Sequence, residues 1–319
     1  MDNHYREDLP FPQTPPEFQR LFPDNDACAL YLLKLRWCSG FTCPYCASVG
    51  DPLRFSSRPS VLRCRKCRRN TGLTVGTVME RSHLPLNVWF WAAYLVTNQS
   101  SGISAKRFCK QVGIPSYETA FRLLHKLRAG IRPDQERIGG KVGEHVELHQ
   151  SYVGGRTQGN GRGVHELLVA LAIEVLPRKS EGKLGNPKSW RRAGRIRLAV
   201  VPERSAISLC AFVEGAVKSG TKIVTDDWSS YAELAKRGYD QLAVVEREEP
   251  QIAEQYLPIS HLVFADLKSW LISTHHGVSP RYLQAYLDEF TFRFNRRFDP
   301  INAFQSLLGI AGDVTPTLC

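Results

Sequence analysis

Between Ala27 and Trp37 the apolar residues Ala29, Leu30, Leu32, Leu33 and Trp37 recur at helical spacing, which predicts a helix leading into the first cysteine pair. Residues 43 to 72 lose that period and read as loop and short strand. Leu86 to Thr97 regains it, with Trp89, Phe90, Trp91 and Tyr94 clustered as core aromatics. Ser104 to Val112 and Ser116 to Ala129 read as two further helices, parted by Gly113, Ile114 and Pro115 and each opened by a serine suited to N-capping. A short helix, a glycine turn and a basic second helix (Arg122, Lys126, Arg128) fit a helix-turn-helix arrangement, although the same pattern also serves plain packing. Ahead of all this, residues 1 to 26 carry Pro10, Pro12, Pro15, Pro16 and Pro23 and read as a mobile lead-in, with Phe18, Leu21 and Phe22 able to start a short helix.

Past a glycine-rich, charged boundary from Gly130 to Gly143, the period changes from helical to alternating. Val146, Leu148, Gln150 and Tyr152 share one face of an extended segment, and Glu147, His149 and Ser151 share the other. Val164 to Leu176 is a near-continuous apolar run, Ile196 to Val201 is a third strand candidate, and the Lys/Arg/Gly/Pro-rich residues 177 to 195 read as an exposed loop. Ser205 to Lys218 patterns as a helix closed by Gly220, and Lys222 to Thr225 as a short strand ending at Asp226 and Asp227. Leu262 to Ile272 and Arg281 to Arg297 are the last helical patterns. Strands mixed with helices in this order imply an α/β layer architecture with a mixed sheet.

Composition narrows the function. A chain of 319 residues has room for about two domains and a small module, and 43% hydrophobic residues exclude disorder as its main state. The net charge of +11 favours polyanions, nucleic acid first. No apolar run reaches the ~18 to 20 residues of a membrane span, and the polar N-terminus lacks a signal-peptide core, so a cytoplasmic protein is expected. Of nine cysteines, four form Cys43-Pro-Tyr-Cys46 and Cys64-Arg-Lys-Cys67, two knuckles 17 residues apart that match a four-thiolate Zn²⁺ site. Cys38 competes as a ligand but lacks a partner at knuckle spacing; Cys28, Cys109, Cys210 and Cys319 read as core or surface thiols. From Pro52 to Met79 the chain holds seven Arg/Lys residues, among them Arg63, Arg65, Lys66, Arg68 and Arg69, and no acid, a density suited to DNA phosphates.

Trp37 through Cys46, LRCRKCRRNTGLTVGT from Leu62 to Thr77, Pro85 through Tyr94 and Gly102 through Arg128 resemble, in order, the N-terminal half of ISXO-type insertion-sequence transposases. VELHQSYVGGR at 146 to 156, TDDWSSY at 225 to 231 and the long block from His261 to Arg297 are similar to the C-terminal half, so the resemblance covers roughly residues 27 to 308. It implies a multidomain α/β chain: a mobile lead-in (1–26), a zinc ribbon with its leading helix (27–80), a helix-turn-helix-like DNA-binding segment (81–142) and an RNase-H-like mixed α/β domain of the DDE type (143–319). The implied chemistry is metal-assisted phosphodiester cleavage and strand transfer, with carboxylates holding two Mg²⁺ ions ~4 Å apart. Asp226 and Asp266 would be magnesium ligands and Lys268 a phosphate contact. Double-stranded DNA, as element ends and target, is the implied partner, with a homo-oligomer on it and no membrane. Arg122 and Lys126 join the ribbon residues as DNA contacts. So do Arg293, Arg296 and Arg297, where the alternative is complementing a helix dipole.

The departures from the family pattern matter as much. Where the family carries V-E-x-D-E-x-Y-x-G-G, this chain has His149 in place of the first catalytic aspartate and Gln150 in place of the following acid. An imidazole supplies no negative charge and suits Zn, Mn or Fe better than Mg²⁺, which takes oxygen ligands. Glu147, on the same strand face, begins ~7 Å away. Asp266 lies where the family often has asparagine or another residue. A Mg²⁺ site built on Asp226 and Asp266 without the first aspartate should be weak, so cleavage is expected to be impaired. The rival reading is a catalytically inactive DNA-binding protein or repressor derived from a transposase. Asp227 reads as a turn or cap residue; His275 and His276 either pack or face the DNA.

Overall fold

A computed structural model describes residues 8–37, 40–99, 101–131, 136–141, 144–156, 164–177, 191–226, 233–244 and 258–308. They fall into two compact units, Met1–Arg132 with Arg296–Cys319, and Pro133–Asn295.

In the first unit α1 (Pro15–Leu21) starts on Thr14, whose hydroxyl accepts from Glu17 N–H, and its prolines occupy the first helical positions, where no N–H is needed. Its Phe18 meets Trp91 at 4.7 Å between ring centroids, and Phe22 meets Phe90 at 4.9 Å. The described part of the expected mobile lead-in is thus packed rather than loose. Two phenylalanines four residues apart face the core together, and their burial outweighs the prolines' turn tendency. Next, α2 (Asn25–Arg36) is capped by Asp24, which accepts from Ala27 N–H at 2.8 Å. Strands β1 (Leu53–Phe55), β2 (Arg58–Arg63) and β3 (Asn70–Gly72) form an antiparallel sheet in that order. Then α3 (Leu86–Asn98) carries the aromatics, and α4 (Ala105–Val112) and α5 (Tyr117–Gly130) follow. Gly113 joins them at φ +71°, and Ser104 caps α4 by accepting from Arg107 N–H; Ser116 holds the cap position of α5 without a side-chain bond. The last described helix, Pro300–Leu308, closes this unit: Phe304 packs 5.9 Å from Phe90, and Gln305 donates to the Tyr31 hydroxyl at 3.1 Å. The sequence reading placed that segment with the C-terminal domain; its buried Ala303, Phe304, Leu307 and Leu308 group it with the N-terminal helices instead.

The second unit is a five-stranded sheet: β4 (His145–Arg156), β5 (Val164–Pro177), β6 (Arg191–Val200), β7 (Lys222–Asp226) and β8 (Asp240–Val244), in the order β6-β5-β4-β7-β8. β4, β5 and β6 pair antiparallel, whereas β7 and β8 run parallel to β4. One face of the sheet packs Val146, Leu148, Ala170 and Ile223 against α6 (Ala206–Ala216). The other packs Val169, Leu171, Ile173 and Ile196 against α8 (Pro258–His275) and α9 (Leu283–Asn295); a four-residue α7 (Glu233–Lys236) precedes β8. The alternation read along 146 to 152 therefore holds.

Two strand features depart from that reading. β8 was missed, and β6 begins at Arg191, inside the expected loop. The arginines of β6 are tolerated because Arg195 donates to both oxygens of the buried Glu174 and also pairs with Glu136 at 3.1 Å. Burial pushes the Glu174 carboxyl up, yet Arg195 and the Gly139 and Arg195 N–H groups hold it below the usual carboxylate range. Gly194 is required beside it, since a Cβ there would lie 2.7 Å from the Glu174 Cβ.

Candidate functional site

The two knuckles of the ribbon are built alike. Cys43 N–H donates to Ser48 O and Ala47 N–H to Cys43 O; in the second knuckle Cys64 N–H donates to Arg69 O and Arg68 N–H to Cys64 O. The residue after each second cysteine, Ala47 (φ 53°) and Arg68 (φ 58°), is left-handed, which turns both sulfurs of a pair the same way. All four sulfur atoms lie within 4.8 Å of one another, with Cys43 to Cys67 at 3.6 Å and Cys46 to Cys64 at 3.7 Å. A tetrahedron with ~2.3 Å Zn–S bonds has sulfurs ~3.8 Å apart, so the set fits a closed four-thiolate zinc site. The Cys67 N–H, helped by that of Lys66 and opposed by desolvation, pulls the Cys64 thiol down to about 6, toward the thiolate a metal needs.

Cations surround this centre. Arg65, Lys66, Arg68 and Arg69 on the second knuckle are exposed, and Arg63 is half-buried, its Nε donating to Asn70 Oδ1 at 2.9 Å. Arg69 also stacks over Tyr45. On α5, exposed Arg122 pairs with Glu118 at 3.6 Å and Lys126 donates to Glu80 O at 3.1 Å, while Arg128 is buried and belongs to the packing. Arg293 lies over the Trp270 ring and Arg297 over that of Phe298; Arg296 is half-buried.

In the second unit β4 and α8 run side by side and meet in successive rungs. The fully buried Glu147 accepts from Ser260 N–H at 2.8 Å in the first turn of α8. The His149 ring lies 4.7 Å from that of His261 and 5.6 Å from Phe264. One rung further, Lys268 Nζ donates to Ser151 Oγ at 2.8 Å. Four strand residues advance about 13 Å and eight helical residues about 12 Å, which is why the rungs stay matched. Burial first, then His261, Arg204 and Lys268, push the His149 imidazolium down to about 4, so the ring is neutral at neutral pH. Arg204, in the loop between β6 and α6, stacks on Tyr152 at 5.2 Å.

The sequence-predicted residues do not all converge here. His149 and Lys268 do. Asp226 ends β7 one residue beyond the Leu148–Thr225 pair, level with His149 in the ladder. Asp266 is exposed: it sits two residues past Phe264, about 200° round the helix, on the side turned from β4. Gln150 faces the α6 side, away from His149, and is buried with neither amide atom partnered among the described residues. His275 packs between Trp270 and Tyr286, and His276 is exposed at φ 57°. Asp227 and the rest of TDDWSSY to Tyr231 lie outside the described residues. His261 and Arg204 were missed by the sequence reading; the helical spacing of His261 to Phe264 and Lys268 was the signal for the first, and nothing local marked the second.

Comparison with known proteins fits this layout. Residues 23–70 match the transposase zinc-ribbon domain and residues 141–295 the ISXO2-like transposase domain. An uncharacterized protein in transposable element ISH50 of Halobacterium salinarum is 26% identical over 145 residues, 45% of this chain. That match spans 47% of the relative, so the chain covers about half of its length. No solved structure matches the chain. Among the described residues no helix is long and apolar enough to cross a membrane. On one polypeptide the chain thus carries a match to the transposase zinc-ribbon domain followed by a match to the ISXO2-like transposase domain.

Proposed function

We propose that this transposase-family protein binds double-stranded DNA at insertion-sequence ends and that its strand cleavage is impaired. Binding runs through the phosphates: the exposed Arg65, Lys66, Arg68 and Arg69 of the zinc-held knuckle and the basic face of α5 supply the charges. One Zn²⁺ on Cys43, Cys46, Cys64 and Cys67 is structural and locks the knuckle that carries the arginines. The strand order and directions of the second unit support an RNase-H-like domain, and α4 with α5 supports a helix-turn-helix-like segment. The observation that carries the impairment is His149, ring to ring with His261, where the family's first aspartate is expected.

The described side chains between β4 and α8 do not fit Mg²⁺. They are two imidazoles, an ammonium and a hydroxyl, with a guanidinium nearby, and Glu147 is committed to the start of α8. Magnesium takes carboxylate, carbonyl and water oxygens. No cleavage step is therefore assigned.

Duplex affinity against salt tests the binding half. With six or more phosphate contacts, affinity should fall about 10³-fold between 50 and 200 mM salt. Replacing Arg65, Lys66 and Arg68 together by glutamine should lower both affinity and slope. A flat salt response would refute phosphate-dominated binding.

A further inference from the structure

We infer that α9 stands in for a sixth strand on the outer edge of β6, and that its carboxamides, Gln284 and Asn295, close a surface to which the β6 of a second copy of this chain would otherwise add.

β6 is the last strand on its side of the sheet, and among the described residues no strand pairs with its outer side. Val201 N–H donates to Leu168 O on β5, so by alternation Ile196, Leu198 and Val200 turn their N–H and C=O groups outward. A row of such groups is a template for another chain. Here side chains of α9 meet it. Asn295 Oδ1 accepts from Ile196 N–H at 2.8 Å and Asn295 Nδ2 donates to Ile196 O at 3.2 Å, the two bonds that a facing residue of an antiparallel strand would make. Gln284 Oε1 accepts from Val200 N–H at 2.9 Å, and its Nε2 reaches Leu198 O at 3.5 Å, bridging two outward residues. The same Nε2 donates to Asp288 Oδ1 at 2.8 Å, which fixes the amide with its oxygen toward Val200.

Helical phase sets this arrangement. Asp288 and Asn295 follow Gln284 by four and eleven residues, so at ~100° per residue the three lie within about 40° of one another on one line of α9. The apolar Leu283, Tyr286 and Leu287 are buried with Ile196 and Leu198 on the face of the sheet, which leaves the polar line to meet its edge. From Gln284 to Asn295 the helix advances about 16 Å, and from Ile196 to Val200 the strand advances about 13 Å; the longer glutamine arm takes up the difference.

The first half of β6 is closed by other means. Gly194 and Arg195 stand opposite Glu174 alone where the register with β5 shifts, and Arg191, Arg192, Arg195 and Arg197 fall within seven residues. A bulge and like charges both oppose strand addition. Residues 196–200 are the regular, mostly apolar stretch that remains. Paired with its own copy about a two-fold axis at Leu198, this stretch sets Ile196 against Val200 and Arg197 against Ala199, with no like charges opposed. A second copy is thus the occupant this edge fits, and α9 excludes it, so any oligomer of the native protein is built on another surface.

Hydrogen exchange of the Ile196 and Val200 amides, in the full-length, zinc-loaded protein without DNA, gives the first test. In the wild type both should be protected, and equally so at about 1 and about 100 µM, because the acceptors belong to the same chain. In Gln284→Ala/Asn295→Ala both should exchange about 100-fold faster at the lower concentration, since the bonds that hold α9 to the edge are gone. At the higher concentration that variant should sediment with about twice the mass of wild type run beside it, and the two amides should regain protection. Adding Val200→Pro, which removes an outward N–H and leaves the ladder to β5 intact, should abolish the heavier species. Gln284→Ala alone, at the exposed end of the row, should speed Val200 about tenfold and leave Ile196 protected, with weaker association, so the test stands even where the double variant does not fold. Concentration-dependent protection in the wild type would overturn the inference, because the edge would already be paired with a second copy. Fast exchange of Ile196 and Val200 in the wild type would overturn it by showing the edge open. So would a double variant, or Gln284→Ala where the double does not fold, that exchanges fast yet keeps the wild-type mass at the higher concentration.

Discussion

Glu147 offers the sharpest test of how the β4–α8 site is built. Its carboxylate is fully buried and accepts from Ser260 N–H at 2.8 Å, in the first turn of an 18-residue helix. A hydrogen bond to a charged acceptor contributes about 1.5 to 3 kcal/mol, and an anion at a partly buried helix start up to about 2 kcal/mol. Glu147→Ala loses both and leaves a cavity, so it should cost about 3 to 4 kcal/mol of local stability. Glu147→Gln keeps an acceptor and loses only the charge, at about 1 to 2 kcal/mol. Because the chain has two compact units, native-state hydrogen exchange is a better assay than a single unfolding midpoint. Amides of 258–275 should exchange about 200- to 900-fold faster in Glu147→Ala and about 5- to 30-fold faster in Glu147→Gln, with those of 86–98 unchanged. Exchange within threefold of wild type without metal, together with a Mg²⁺-dependent difference, would show Glu147 to be a metal ligand and refute the structural role.

Two further predictions concern the other buried polar groups and the ribbon. Metal analysis of protein purified without chelator should find one Zn²⁺ per chain, and Cys64→Ser should abolish its binding and unfold the ribbon, seen as loss of protection across 53–72; metal-free, folded protein would contradict this. Gln150→Met should raise stability by about 1 kcal/mol, since a buried amide without partners is exchanged for an apolar side chain of similar size, whereas Gln150→Glu should cost about 3 kcal/mol or more; the reverse order in chemical denaturation would be inconsistent with the unpartnered environment.

How much of this was legible in the sequence follows from the range of the interactions concerned. The knuckles were readable because each is a local turn of a few residues whose chemistry repeats, and the faces of β4 because alternation is a property of one strand. The chain ends were not: Phe18 and Phe22 become core only through Phe90, Trp91 and Phe304, residues far away in the sequence. β6 was hidden because its arginines look like loop composition until Glu174 from the neighbouring strand binds Arg195. β8 is a short edge strand whose existence depends on backbone pairing to β7, which leaves little trace in side-chain pattern. At the site, His149 was found by its mismatch to a family motif, but its partner was not. Asp266 drew attention as a carboxylate near the expected place, yet the helical phase set by Ser260, Phe264 and Lys268 puts His261 toward the strand and Asp266 toward solvent.

Strand cleavage of a labelled duplex carrying the DNA that flanks the gene, incubated with the zinc-loaded protein and Mg²⁺, tests the central claim most directly. The wild type should bind this duplex and cut it no faster than Asp226→Ala does, while His149→Asp should gain Mg²⁺ affinity by restoring a carboxylate level with Asp226. Strong Mg²⁺-dependent cleavage by the unaltered protein, abolished in Asp226→Ala, would contradict the account.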